Sequence, residues 1–235
     1  MILLDMGRTF MFDVDRFDED DDFGATYRKA GGNRLRGREV FQMLSAIFHQ
    51  MIADSRTPEK YDKFCPVSSY LKRHPKSAKF STKELAILEK VFSEHEVGTI
   101  PQEYASVLRR LRKTHRLGIV SDIWSHSERF YQELDRAGIR GLFEAIVFSS
   151  DIGFIKPSRK IFQKALDTFG VDVPRVVYIG DSLRRDVAGA KSLGMAAIWI
   201  QRDHLSECSQ RARAQTDISV KPDLAVSDLR DVLLA

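Results

Sequence analysis

Short apolar runs at residues 1–4, 117–120, 145–148, 176–179 and 195–200 are separated by stretches of helical periodicity, and this alternation constrains the chain more than any other feature. Helices are expected over residues 125–137, 158–169 and 184–193, with Ile161, Phe162, Ala165 and Leu166 facing inward in the second. Regular strand–helix alternation predicts an α/β fold built on a doubly wound parallel sheet. A chain of 235 residues can bury one such core with a smaller appendage.

The alternation breaks once. Between residues 14 and 97 only helical patterns occur, which predicts a smaller α-helical insertion in a core made of residues 1–13 and 98–235. Its clearest helix spans residues 37–53, where Val40, Phe41, Leu44, Ile47, Phe48, Met51 and Ile52 recur at three- and four-residue spacing. A second begins at Ser81, where Ser81-Thr82-Lys83-Glu84 has the pattern of a capping box ahead of Leu85, Leu88, Val91 and Phe92. Residues 61–80, rich in Pro, Ser, Lys and aromatics, read as irregular, and the acidic run from Asp18 to Asp22 reads as solvated.

In an open parallel sheet the carboxyl ends of the strands line one crevice, where ligands bind. Three of the apolar runs end in polar motifs: Asp5-Met6-Gly7-Arg8-Thr9, Ser121-Asp122, and Gly180-Asp181-Ser182-Leu183-Arg184-Arg185-Asp186. A fourth motif, Gly153-Phe154-Ile155-Lys156-Pro157, opens a helix. Carboxylates at Asp5, Asp181 and Asp186 cannot share a small volume unpaired, because like charges repel. A hard cation such as Mg²⁺, which takes carboxylate and phosphate oxygens, resolves the conflict. Lys156 then supplies positive charge for nucleophile and phosphate, and the Ser121 hydroxyl donates to a phosphate oxygen. Asp5 is left as nucleophile, forming an acyl-phosphate.

In order and spacing these motifs resemble those of the haloacid dehalogenase superfamily, most densely over residues 117–202. The resemblance implies a Rossmann-like core with an inserted helical cap. It further implies a Mg²⁺-dependent phosphatase that acts on a small phosphorylated metabolite through an aspartyl-phosphate. Asp5, Ser121 and Lys156 are the catalytic residues it implies, and Thr9, Ser121, Asp122 and Lys156 contact substrate. Asp5, the backbone carbonyl of Gly7, Asp181 and Asp186 hold the metal.

Gly7 departs from the pattern. Family phosphatases usually read Asp-x-Asp-x-Thr in the first motif, and the second aspartate protonates the leaving alcohol and then activates water. Loss of such a group costs ~10²–10⁴-fold, so substrates with good leaving groups are expected. Phe12-Asp13-Val14-Asp15 offers a competing Asp-x-Asp pair, but Phe17 stands where the threonine belongs, whereas Thr9 sits four residues after Asp5. Asp13 or Asp15 could swing in as the missing acid, although a solvated turn is the plainer reading.

Other chemistries stay open. Family branches that cleave carbon–halogen or carbon–phosphorus bonds also lack the second aspartate. A dehalogenase needs no metal, which leaves Asp181 and Asp186 unexplained. A phosphonatase needs an imine-forming cap lysine, and Lys29, Lys60, Lys63, Lys72, Lys76, Lys79, Lys83 and Lys90 are candidates. A binding or regulatory protein that has lost turnover through Gly7 is the third possibility. A receiver-type phosphorylation switch carries its acidic pair early in the chain, and here Asp181 and Asp186 come late.

The formal charge of +4, from 37 Lys plus Arg against 33 Asp plus Glu, does not imply nucleic acid, and the run of Arg109, Arg110, Arg112, Lys113 and Arg116 reads as the wet face of a helix. Cys65 and Cys208 lack the paired spacing of a zinc site and are expected as free thiols. No apolar stretch approaches the ~20 residues of a membrane span. The amino terminus runs directly into a strand with no basic region before it, which predicts no secretory signal and a cytoplasmic protein, and a monomer or homodimer is expected. Of His49, His74, His95, His115, His126 and His204, most read as ordinary surface residues, and His126, just beyond Ser121, is the one expected near the crevice. Trp124 beside it is expected as a lid on the phosphate loop.

Overall fold

The computed structural model describes residues 1–201 and 220–234. Its centre is β1 (Ile2–Leu4), and β2 (Leu117–Ser121), β3 (Phe143–Phe148), β4 (Val177–Gly180), β5 (Ala196–Ile200) and β6 (Leu224–Val226) complete one sheet in the order β3-β2-β1-β4-β5-β6. Every pairing is parallel. The chain leaves β1 toward β2 and β3 on one side, then crosses to β4, β5 and β6 on the other, so the strand order reverses at β1. Leu4 pairs with Ile119 and with Ile179, which brings Asp5, Ser121 and Asp181 to neighbouring carboxyl ends. β6 goes beyond the expected strands. It is a three-residue edge strand, too short and too exposed to carry a periodic signal.

Both faces of the sheet are covered, as side-chain alternation requires. Ile2, Leu4, Leu117 and Ile119 pack against Leu108 and Leu111 of α5 (Gln102–Arg112) and Phe130 and Leu134 of α6 (Glu128–Arg136). Leu3, Val120 and Tyr178 face the other way, toward Ile161, Phe162 and Leu166 of α8 (Arg159–Phe169) and Ala190 of α9 (Ala188–Ser192). A short α7 (Ser149–Ile152) follows β3. A single π-helical turn, Leu183–Val187, precedes α9, so the helix expected from residue 184 starts wide. Three residues of the basic run on α5 and beyond it are tied down. Arg109 donates to the Ala137 carbonyl, and Arg112 and Arg116 both pair with Glu144.

Between β1 and α5 lie α1 (Phe23–Lys29), α2 (Gly37–Asp54), α3 (Val67–Arg73) and α4 (Thr82–Glu96). They share an apolar cluster of their own, joined by Trp124 and Ile155 from the loops of the sheet. Two of these helices depart from the sequence expectation. α3 falls within the stretch read as irregular, because seven residues that bury only Val67 and Leu71 give too short a periodic signal. α1 starts directly after the acidic run, whose last residue, Asp22, is its N-cap and accepts from the Ala25 amide at 2.8 Å. The capping box at Ser81 is half formed. Ser81 accepts from the Glu84 amide at 3.2 Å, but the Glu84 carboxylate turns into the cluster and takes the Tyr27 hydroxyl. Val40, Met43, Leu44, Ile47 and Met51 of α2 are buried, while Phe48 and Ile52 sit on its open edge.

Candidate active site

The register of β1, β2 and β4 sets the site. Asp5 leaves β1 with its amide bonded to the Ile179 carbonyl at 2.9 Å, and its Oδ1 accepts from Ser121 Oγ at 2.7 Å and from Lys156 Nζ at 2.8 Å. Lys156 has no exposed surface. Its ammonium also reaches Asp186 Oδ1 at 2.6 Å and the Tyr178 hydroxyl at 3.1 Å. Asp186 is held on its other oxygen by the Ser182 amide at 2.9 Å, a bond made where the π turn begins. Ligand atoms of Asp5, Asp181 and Asp186 all lie within 4.8 Å of one another, and all three side chains are buried.

Electrostatics follow from that crowding. Burial alone would raise the Asp5 carboxyl, but the Lys156 ammonium, Arg185 and the Ser121 hydroxyl hold it below the ordinary carboxylate value. Burial and the Asp5 charge push Asp181 up. Burial outweighs Lys156 at Asp186 and lifts it to about 6. Lys156 stays charged, since Asp186 and Asp5 more than offset its burial. Lys156 and Arg185 face four buried carboxyls, those of Asp5, Asp122, Asp181 and Asp186, which leaves the cluster short of positive charge. An all-oxygen, anionic donor set of this kind fits a hard divalent cation.

The remaining expected residues are placed less uniformly. Asp122 is clamped, its Oδ1 accepting the Lys156 amide at 2.9 Å and its Oδ2 lying 3.4 Å from Arg185, and burial lifts it to about 6. Thr9 is fully buried, with no hydrogen-bond partner for its hydroxyl, and lies outside the cavity lining. Gly7 lines the cavity, and a Cβ built on it would meet only Val14 Cγ2, at 4.0 Å. Trp124 lines the cavity too, buried against Phe64. His126 does not. It is exposed, 3.9 Å from Glu89, because the chain turns outward before α6 begins. Cys65 is a free, half-buried thiol, while Cys208 and His204 lie outside the described residues.

A cavity of about 680 Å³ opens over the cluster and is walled on the far side by α2, through Phe48, His49 and Ile52. Several of its polar groups escape sequence reading. Arg184 reaches out from the π turn to Tyr61 Oη at 2.9 Å, and Glu96, at the end of α4, receives the Trp124 and Ser125 amides at 2.5 and 2.9 Å. Burial pushes Glu96 up to about 8. Tyr178 looks like one more apolar strand residue, yet its hydroxyl donates to the Val120 carbonyl at 2.7 Å and packs beside Lys156 and Asp186. Only the partners, which are remote in sequence, give these residues their place.

A doubly wound parallel sheet with buried carboxylates and a buried lysine at its carboxyl edge is the framework of an α/β enzyme. The chain belongs to the haloacid dehalogenase-like hydrolases, whose family profile matches residues 39–200. It is 38% identical over 96 residues to a glyceraldehyde 3-phosphate phosphatase of Pyrococcus abyssi, covering 40% of each chain. It is 35% identical over 104 residues to a phosphoserine phosphatase of Thermus thermophilus, covering 44% of this chain and 38% of that one. The chain thus spans about two fifths of these curated relatives. Its fold matches a haloacid dehalogenase-type phosphatase of Thermococcus onnurineus with a TM-score of 0.62 at 21% identity, over 99% of this chain and 95% of the other. A 2-haloacid dehalogenase of Pseudomonas syringae matches with a TM-score of 0.64 at 20% identity, over 99% and 96%. Among the described residues, no helix is long and apolar enough to cross a membrane.

Proposed function

We propose that this hydrolase is a Mg²⁺-dependent phosphatase of small phosphorylated metabolites, with Asp5 as nucleophile. The observation that carries the reading is the convergence of Asp5, Asp181 and Asp186 beside a charged, buried Lys156. Asp5, the Gly7 carbonyl, Asp181 and Asp186 would hold the metal, which when bound offsets their charge and that of the substrate phosphate. Asp5, kept ionised by Lys156 and oriented by Ser121, attacks phosphorus through its carboxylate. The bond to the leaving oxygen breaks as the aspartyl-phosphate forms, and water then attacks phosphorus to release inorganic phosphate and free Asp5. Phosphatase-named relatives support this reading. The helices from α1 to α4 are assigned as the cap, since they carry a separate apolar cluster and wall the cavity opposite the cluster of acids.

Two observations weigh against the alternatives. A dehalogenase leaves the buried acidic trio without a task. A phosphonatase needs a lysine in the cavity, and none of the described lining residues is one. The deciding test is phosphate release from an aryl and an alkyl phosphate, with and without Mg²⁺, in wild type and Asp5→Asn. Aryl turnover that requires both Mg²⁺ and Asp5 is expected. Absence of turnover in protein that binds Mg²⁺ would sink the phosphatase reading.

A further inference from the structure

The first motif lacks its second carboxylate, and the chain folds so as to bring another one to the same cavity. The Met6 carbonyl accepts the amides of Thr9, Phe10 and Met11 at 3.0–3.1 Å, and the Arg8 amide bonds to the Met11 carbonyl at 2.7 Å. This tight return lays Val14 against Gly7. The loop is pinned from outside, by the Phe12–Thr99 pairing and by a 3.1 Å bond from the Asp15 amide to the Glu96 carbonyl. Arg8, Asp13 and Asp15 all take left-handed backbone, with φ of 58°, 56° and 58°. Non-glycine residues avoid that region, and it recurs where a site demands it.

We propose that Asp15 is the general acid and base of this enzyme, in place of the side chain missing at Gly7. It lines the cavity together with Asp5, Gly7 and Asp181. Its side chain is one-fifth exposed and lies 3.3 Å from Arg8. Of the other lining carboxyls outside the metal cluster, Asp122 accepts the Lys156 amide and Glu96 accepts the amides of Trp124 and Ser125, whereas Asp15 meets the side chains of Arg8 and Trp124. Asp13 is exposed and outside the cavity lining. Around Asp15 stand Arg8, Arg185, Asp5 and Trp124, and burial outweighs the two arginines, raising its carboxyl above the ordinary value. That favours the protonated form needed to act first as an acid.

The proposal rests on the phosphatase reading and completes it. As Asp5 forms its bond to phosphorus, the Asp15 carboxyl gives its proton to the leaving alkoxide oxygen. The Asp15 carboxylate then takes a proton from water as the water oxygen attacks phosphorus. Each turnover thus returns Asp15 to its starting state, with one alcohol and one phosphate released.

The test is the ratio of kcat/KM for an alkyl phosphate to that for p-nitrophenyl phosphate, whose leaving group needs no proton. In Asp15→Asn this ratio should fall about 100-fold or more, and adding Gly7→Asp to Asp15→Asn should raise it again. Asp15→Ser, read by the same ratio, serves if the asparagine variant does not fold. A ratio unchanged in an Asp5-dependent enzyme, including a parallel loss on both substrates, overturns the role of Asp15 alone. A wild type inert on both substrates overturns the phosphatase reading and this assignment with it.

Discussion

Lys156→Met is the most informative single perturbation. Methionine keeps much of the volume and removes the charge from a site with no solvent access, leaving Asp5 and Asp186, bonded at 2.8 and 2.6 Å, without their cation. Breaking a buried ion pair by deleting one partner costs about 3–5 kcal/mol. At roughly 2–4 °C per kcal/mol for a chain of this size, the melting temperature should fall by about 6–20 °C at pH 8. Two recoveries are expected. Without the ammonium the carboxyls titrate above their unfolded values, so the folded variant binds protons that the unfolded chain does not, and the deficit should shrink as pH falls toward 5. If the proposed Mg²⁺ site exists only in the folded chain, the ion should raise the variant's melting temperature in proportion to the logarithm of its concentration. Thermal melts at pH 5 and 8, with and without Mg²⁺, measure all three effects. A variant that melts within about 2 °C of wild type at pH 8 without metal would refute the view of Lys156 as the cluster's counter-charge.

Gly180→Ala places a Cβ 2.5 Å from the Asp186 carboxylate. It should displace that side chain and weaken Mg²⁺ binding by about tenfold or more, or ~1.4 kcal/mol, and unchanged affinity by calorimetry would count against Asp186 as a ligand. Gly98→Ala drives a Cβ to 2.0 Å from the Phe12 carbonyl. The Phe12–Thr99 pairing must open, at about 2–3 kcal/mol by urea unfolding, and a variant as stable as wild type would show that the pairing carries little. Glu96, at 4.5 unfolded and about 8 folded, binds a proton on folding. Its share of stability is therefore lost as pH rises from about 5 to 8, by up to ~1.4 kcal/mol per pH unit. Glu96→Gln should flatten that slope in unfolding curves taken across the range, and an unaltered slope would place the titration elsewhere.

Five strands of the parallel sheet, β1 to β5, were legible in the chain because they are apolar runs and the helices between them have regular apolar spacing. β1, β2 and β4 end on Asp5, Ser121 and Asp181, so register alone brings these three together. What local pattern could not supply is whatever depends on partners distant in sequence. α3 buries two side chains in seven residues and is formed by the apolar cluster it joins. Glu84 turned from its helix cap to Tyr27, 57 positions away, because burial offered a better donor. Tyr178 carries no sign of its place beside Lys156 and Asp186. His126 stands close to Ser121 in sequence and still faces solvent, while Asp15, ten residues past Asp5, reaches the cavity. Sequence determined the first five strands of the sheet, the four motifs and the gap at Gly7, all of which are written in local periodicity and spacing. Tertiary structure decided which carboxyls are buried, paired or open to the cavity, because desolvation and Coulomb interaction depend on distance in space and not along the chain.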